Sequence, residues 1–318
     1  MEAAILDYII NSPKAELHMH LEGSLEPDLM FKLAKKHNII LTYKSLIDLK
    51  NAYSFNNLQE FLDLYYQGMS VLKDEEDFYD LAYAYFKKAN KDMVRYTEIF
   101  IDPQAHLMRN ISLDALFIGV NRAIIKAKKE FNLDVKIIIC FLRHLSENEA
   151  LDVFEKLMDY RKYFIGIGLD STELGHPPSK FKKLFNLARA EGLKLTAHAG
   201  EEGPSSYVWE ALDILGVDRI DHGNAIYNDL ELIKRISKDK IPLTMCPLSN
   251  QKLNVVKDLT YHQAPMLLDK GVLVTINSDD PAYFGGYINQ NIIELVKATN
   301  LSLNDVKVII NNSLNNLF

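Results

Sequence analysis

Two histidines one residue apart, His18 and His20, close a short apolar run near the start of the chain. In an extended strand, side chains two apart point the same way, so the pair can offer two imidazoles to one metal ion. Three more polar clusters end later apolar runs: Thr196-Ala197-His198-Ala199-Gly200-Glu201-Glu202, Asp221-His222-Gly223, and Asn277-Ser278-Asp279-Asp280-Pro281. Taken alone, each has an ordinary explanation: a satisfied core histidine, acids opening a helix, a turn before proline. Taken together, His18, His20, His198 and Asp279 make a nitrogen and oxygen set suited to zinc. A divalent ion held there would lower the pKa of a bound water to about 7. His222 can take or orient that water's proton. Glu201 can protonate a ring nitrogen beside the attacked carbon, and Asp280 can hold the heterocycle by another nitrogen. These are the parts needed to remove an amine hydrolytically from an aromatic ring.

Such residues meet only if the runs they terminate lie side by side. Residues 15–21, 94–101, 135–141, 164–169, 193–198, 219–221, 241–246 and 272–277 read as strands. Most are continuously apolar, as expected of parallel strands covered on both faces. Amphipathic patterns at 112–131, 146–160, 179–191, 205–215, 229–238 and 261–269 read as helices between them. In the first, Leu113, Leu116, Val120, Ala123, Ile124 and Ala127 fall at helical spacing, with Ser112 as N-cap. Eight strands with intervening helices predict an α/β fold, a (β/α)8 TIM barrel, whose strand C-termini converge on one mouth. The alternative, a doubly wound open sheet, lacks its Gly-rich first turn. Between the first two strands lie about 70 residues with helical patterns around 28–37, 58–72 and 77–90. A barrel needs one helix there, so residues from about 25 to 92 are expected to form a helical insert over one mouth, within a single domain spanning 1–318.

The bulk properties fit that picture. The 318 residues are 48% hydrophobic and 25% charged, an ordinary globular composition. A net charge of −7 points away from nucleic acid or an anionic membrane and towards a small ligand. Cys140 and Cys246 sit in apolar runs, too few for a disulfide framework or thiolate metal site, and read as buried thiols in a reducing compartment. The N-terminal stretch carries Glu2 and Asp7 and lacks the basic start of a signal peptide. No run reaches the roughly 20 apolar residues of a membrane span, so a cytoplasmic location is expected.

Five ordered segments carry a family likeness: PKAELHMHLEGSLEP (13–27), LTAHAGEEGP (195–204), RIDHGN (219–224), CPLSN (246–250) and NSDDPAYFGGY (277–287). Over nearly its whole length the chain resembles the adenosine/adenine deaminase family of the amidohydrolase superfamily. The resemblance implies a (β/α)8 barrel with one zinc ion per chain, bound by His18, His20, His198 and Asp279. It implies Glu201 as proton donor to a purine ring, His222 as the group acting on the water, and Asp280 as a contact to the base. Relatives with a second metal bridge it through a lysine at the end of strand four, where this chain reads FIGIGLDSTELGH. The zinc signature of cytosine deaminases, HxE with PCxxC, is absent.

Adenosine-acting relatives show HLDG at the first motif and a Gly-Asp-Glu stretch after strand four. Here the segments read His20-Leu21-Glu22-Gly23 and Asp170-Ser171-Thr172-Glu173. The resemblance therefore points to free adenine, with Glu22, Ser171 and Glu173 in the ribose region and Glu173 accepting the N9–H of the base. Leaving such an acceptor unpaired would cost a nucleoside about 1–3 kcal/mol. The alternative is that Glu22 and Glu173 are solvated loop residues. Adenosine deamination, hydrolysis of another amine, and a non-catalytic purine-binding relative stay open beside this reading. The partner expected is a small purine base, with neither nucleic acid nor membrane. Family members continue past a segment like Asn312-Ser313 with another helix, whereas this chain stops at Phe318. Apolar surface at the barrel end would then be bare, or covered by another subunit of a homo-oligomer.

Overall fold

Apolar runs too short for helices and bounded by turns pair here with their sequence neighbours. The computed structural model describes residues 1–318. Its strands are β1 (Lys14–His20), β2 (Val94–Ile101), β3 (Asp134–Leu142) and β4 (Gly166–Asp170). They continue with β5 (Lys194–Ala199), β6 (Arg219–His222), β7 (Pro242–Met245) and β8 (Leu273–Ile276). All are parallel and follow one another in sequence order. Beyond β8 the ring is joined to β1: the His20 N–H donates to the Asp279 carbonyl at 2.9 Å, and the Asp279 N–H to the His18 carbonyl at 3.2 Å. The fold is the (β/α)8 barrel expected from the alternation of strands and helices. Its closure sets His18 against Asp279, 261 residues further along the chain.

The helices start where side chains can satisfy their free N–H groups. Ser112 caps Leu113–Phe131, and Ser146 and Ser302 form capping boxes with Glu149 and Asp305 ahead of Glu147–Leu157 and Leu303–Asn315. Four helices depart from the sequence pattern: 146–160 passes after Leu157 into a 3-10 stretch at Met158–Tyr163, and 179–191 opens as a 3-10 turn at Pro178–Phe181 before Lys182–Ala190. The 205–215 segment becomes Ser205–Glu210 followed by a π-type turn at Ala211–Leu215. The last pattern begins only at Ala264, with Pro265 in the first turn, where its missing N–H costs nothing.

Between β1 and β2 run four helices: Pro27–Lys36, Leu46–Ala52, Leu58–Gly68 and Glu75–Lys91. The last packs on Leu113–Phe131 and serves as the ring helix of this step. Leu58–Gly68 turns Leu58, Phe61, Leu62, Tyr65 and Tyr66, a stripe at helical spacing, towards the barrel mouth. One continuous core of 84 buried residues joins this cover to the barrel and its outer helices. Phe318 packs on the cluster of Phe100, Ile138 and Cys140 and sets its ring over the Arg219 guanidinium, so the chain itself covers that apolar surface. Both cysteines are buried and unpaired. No helix is long and apolar enough to cross a membrane.

Candidate active site

The alternation of β1 does what the spacing of its histidines requires. His18 and His20 are both buried and reach the same point inside the barrel mouth. The His20 Nε2 lies 3.1 Å from the His198 Nε2 and 3.5 Å from the Asp279 Oδ1, and the His18 Nε2 lies 3.2 Å from that same oxygen. Donors at bond lengths of 2.0–2.2 Å in a tetrahedron stand about 3.3–3.6 Å apart, and these three separations lie near that edge. His222 also lies within 4.8 Å of the His18, His198 and Asp279 donors. Its Nε2, however, faces the other Asp279 oxygen at 3.7 Å and the Glu201 Oε1 at 3.6 Å. That places it at the edge of the donor set.

A second layer orients the rings. The Thr244 hydroxyl donates to the Asp221 Oδ1 at 2.8 Å, so it must accept from the His18 Nδ1 at 2.9 Å. The proton of His18 is thereby fixed on Nδ1, leaving the Nε2 lone pair aimed at the centre. The Thr196 hydroxyl fills the other Asp221 oxygen at 2.6 Å. Asp170 stands 3.6 Å behind the His20 Nδ1. The His198 Nδ1 and the His222 Nε2 have no hydrogen-bond partner.

Burial decides the protonation states. It pushes His20 down to about 4 and His222 to about 3, and holds His198 well below the usual range, which favours the neutral form of each ring. Burial also opposes a charge on Asp279, but His18, His222 and His20 outweigh it and keep the carboxyl well below its ordinary value. Glu201 and Asp280 go the other way: burial first, then the Asp279 charge, raises both well above the carboxylate range. Asp279, His222 and Ser171 hold positive φ angles of 62°, 63° and 72°, a costly backbone state for residues with side chains.

Around these groups lies a cavity with apolar walls of Leu58, Phe61, Leu62, Leu253 and Phe284. His20, His198, Glu201, His222, Asp279, Asp280, Asp102, Asp170 and Ser171 supply its polar lining. Two acids singled out from the sequence lie outside it. Glu173 is neither a base acceptor nor solvated: its oxygens take the backbone N–H groups of Gly200, Glu202 and Gly203 at 2.6, 2.8 and 2.7 Å. It clamps the loop that carries Glu201. Glu22 accepts from the His106 Nε2 at 2.7 Å and the Asp102 N–H at 3.2 Å, one layer behind the lining. Ser171 does line the cavity, but its hydroxyl is shared between the Tyr66 hydroxyl and the His144 Nδ1, both at 2.9 Å. Asp102 and Asp170, missed in the sequence, stand just past β2 and at the end of β4, where the rule of strand C-termini would have found them. Thr244, inside an apolar strand run, carries no local signal.

Eight parallel strands with buried imidazoles and carboxyls at their C-terminal ends define an enzyme barrel of the amidohydrolase type. The sequence profile of the adenosine deaminase family matches residues 13–318, and the chain belongs to that family. The adenine deaminase of Acinetobacter baylyi is 52% identical over 301 residues, covering 95% of this chain and 91% of that protein. The adenine deaminase of Zymomonas mobilis is 53% identical over 309 residues, covering 97% and 92%. Among solved structures, adenine deaminase from Arthrobacter aurescens superposes with a TM-score of 0.95 at 45% identity, covering 96% of this chain and 94% of its own. An amidohydrolase from Burkholderia ambifaria with bound zinc matches with a TM-score of 0.90 at 25% identity, covering 100% and 88%.

Proposed function

We propose that this protein hydrolyses free adenine to hypoxanthine and ammonia. The observation that carries the reading is the meeting, in one cavity, of Glu201, His222 and Asp280 around the His and Asp donors. Relatives named adenine deaminase at about half identity over nearly the whole chain support the choice of base.

His18, His20, His198 and Asp279 would hold one zinc ion, with His20 joined to the set through His198 and Asp279, and the bound zinc of the Burkholderia relative supports the choice of metal. When bound, such an ion supplies Lewis-acid activation of the attacking water. The side chains do the rest. Glu201 gives its proton to N1 of the purine, which draws electrons from C6. His222, with its Nε2 between Glu201 and Asp279, receives the proton that the water loses as its oxygen bonds to C6. The C6–N6 bond then breaks, the amine leaves with that proton as ammonia, and the remaining hydroxyl proton returns to Glu201 as the C6=O bond forms. Asp280, whose Oδ1 has no partner in the protein, holds N7. The apolar walls exclude bulk water while the base is bound.

The reaction belongs to purine salvage, and two buried unpaired thiols fit a reducing cytoplasm. The helices ahead of Glu75 are the cover of one catalytic domain spanning residues 1–318. Ultraviolet spectra of metal-replete protein with adenine or adenosine test the reading. Conversion of adenine alone, abolished by a chelator, is the expected result. Conversion mainly of adenosine, or of neither, would overturn it.

A further inference from the structure

We infer that Asp102 reads the N3–N9 edge of the base and thereby excludes purines that carry a sugar. The inference rests on the deaminase reading above. Three carboxyls of the cavity already have tasks there: Asp279 at the donor centre, Glu201 at N1 and Asp280 at N7. Asp170 turns its Oδ2 to the His20 Nδ1 at 3.6 Å and so backs a donor of the centre, although its Oδ1 has no partner. Glu22 takes the His106 Nε2 and the Asp102 N–H on Oε1 and lies outside the lining, and Glu173 is spent on backbone N–H groups. That leaves Asp102 as the lining acid with a partnerless oxygen and no histidine paired to it. It precedes the helix Pro103–Leu107 but makes no side-chain cap. It is 2% exposed, its Oδ1 has no partner, and it lines the cavity.

The order of the barrel sets the direction. Glu201 follows β5, Asp280 follows β8, and the arc between them through β6 and β7 holds His222. A purine with N1 at Glu201 and N7 at Asp280 faces that arc with C6. Its N3–N9 edge then faces the opposite arc, from β1 to β4, where Asp102 stands past β2. The partnerless Asp102 Oδ1 is the acceptor that the N9–H of a free base requires. A glycosidic bond removes that N–H and adds bulk in the same place, leaving a buried acceptor unpaired.

The experiment compares adenine with 9-methyladenine on metal-loaded parent, Asp102→Ala and Asp102→Asn, with thermal unfolding as the check on folding. The parent should favour adenine. Asp102→Ala should lower the adenine to 9-methyladenine ratio of kcat/KM by about 10- to 100-fold. Asp102→Asn, whose amide carbonyl presents the same acceptor, should keep the ratio within about fivefold of the parent. An unchanged ratio in Asp102→Ala overturns the inference, as does an equal loss in both variants, which would mean that charge alone acts. Should Asp102→Ala fail to fold, competition on the parent decides: purine must inhibit at least about tenfold better than 9-methylpurine, and equal inhibition refutes the pairing. A parent silent on adenine would instead sink the deaminase reading itself.

Discussion

Gly23 lies so close to Asp280 that a Cβ on the glycine would stand 2.7 Å from the Asp280 Cα and nearer still to its carboxyl group. The two belong to opposite ends of the chain and meet only because β1 closes on β8. Gly23→Ala should therefore displace the Asp280 carboxyl, proposed to hold the base, while sparing the histidines of β1. We expect kcat/KM on adenine to fall by at least about 100-fold, some 3 kcal/mol, with metal content retained. Steady-state kinetics alongside metal analysis would show it; near-parental activity would refute the contact.

Glu201 must both carry a proton and part with it. Glu201→Gln keeps a hydrogen bond to the ring nitrogen but cannot protonate it. The expected loss is about 10²- to 10⁴-fold in kcat with KM little changed. A change confined to KM would mean that the residue only binds.

Thr244 transmits the orientation of Asp221 to His18. Thr244→Val removes the acceptor of the His18 Nδ1–H at nearly constant volume. Affinity for zinc should drop about 10- to 100-fold, read by competition with a chromogenic chelator. Equal affinity would show that the ring needs no such support.

Glu173 satisfies three backbone N–H groups around the Glu201 loop. Glu173→Ala should cost about 3 kcal/mol or more and lower Tm by roughly 6–12 °C. The adenine to adenosine ratio should stay as in the parent. A changed ratio with unchanged Tm would return the residue to the substrate.

His262 offers a test of pH. Burial pushes its ring down to about 4, and it is held neutral between the Asn250 side chain at 3.2 Å and the Ala264 N–H at 3.2 Å. Between pH 6.5 and about 4 the unfolded chain takes up a proton that the native ring refuses, so stability falls as pH falls through that window. Relative to His262→Phe, the parent should lose about 3 kcal/mol over that range, measured by urea unfolding. Parallel pH curves for the two proteins would contradict the assignment.

What the sequence determined by itself is what local rules can encode. Strand runs such as 94–101, helix caps such as Ser112, and the HxH spacing of His18 and His20 follow from period, capping and alternation within a few residues. The strand-end rule then gathers His198, Glu201, His222, Asp279 and Asp280, because parallel closure forces strand C-termini onto one mouth. The division of labour among the remaining acids was beyond such rules. Glu173 and Asp102 are both buried carboxyls beyond strand ends, yet one meets three backbone N–H groups and the other has an oxygen with no partner. Thr244 became the partner of His18, and Phe61 and Tyr65 the roof of the cavity, through long-range packing. A hydrogen-bond partner distant in sequence leaves no periodic trace, so only the tertiary structure could decide which acids hold the fold and which face the substrate.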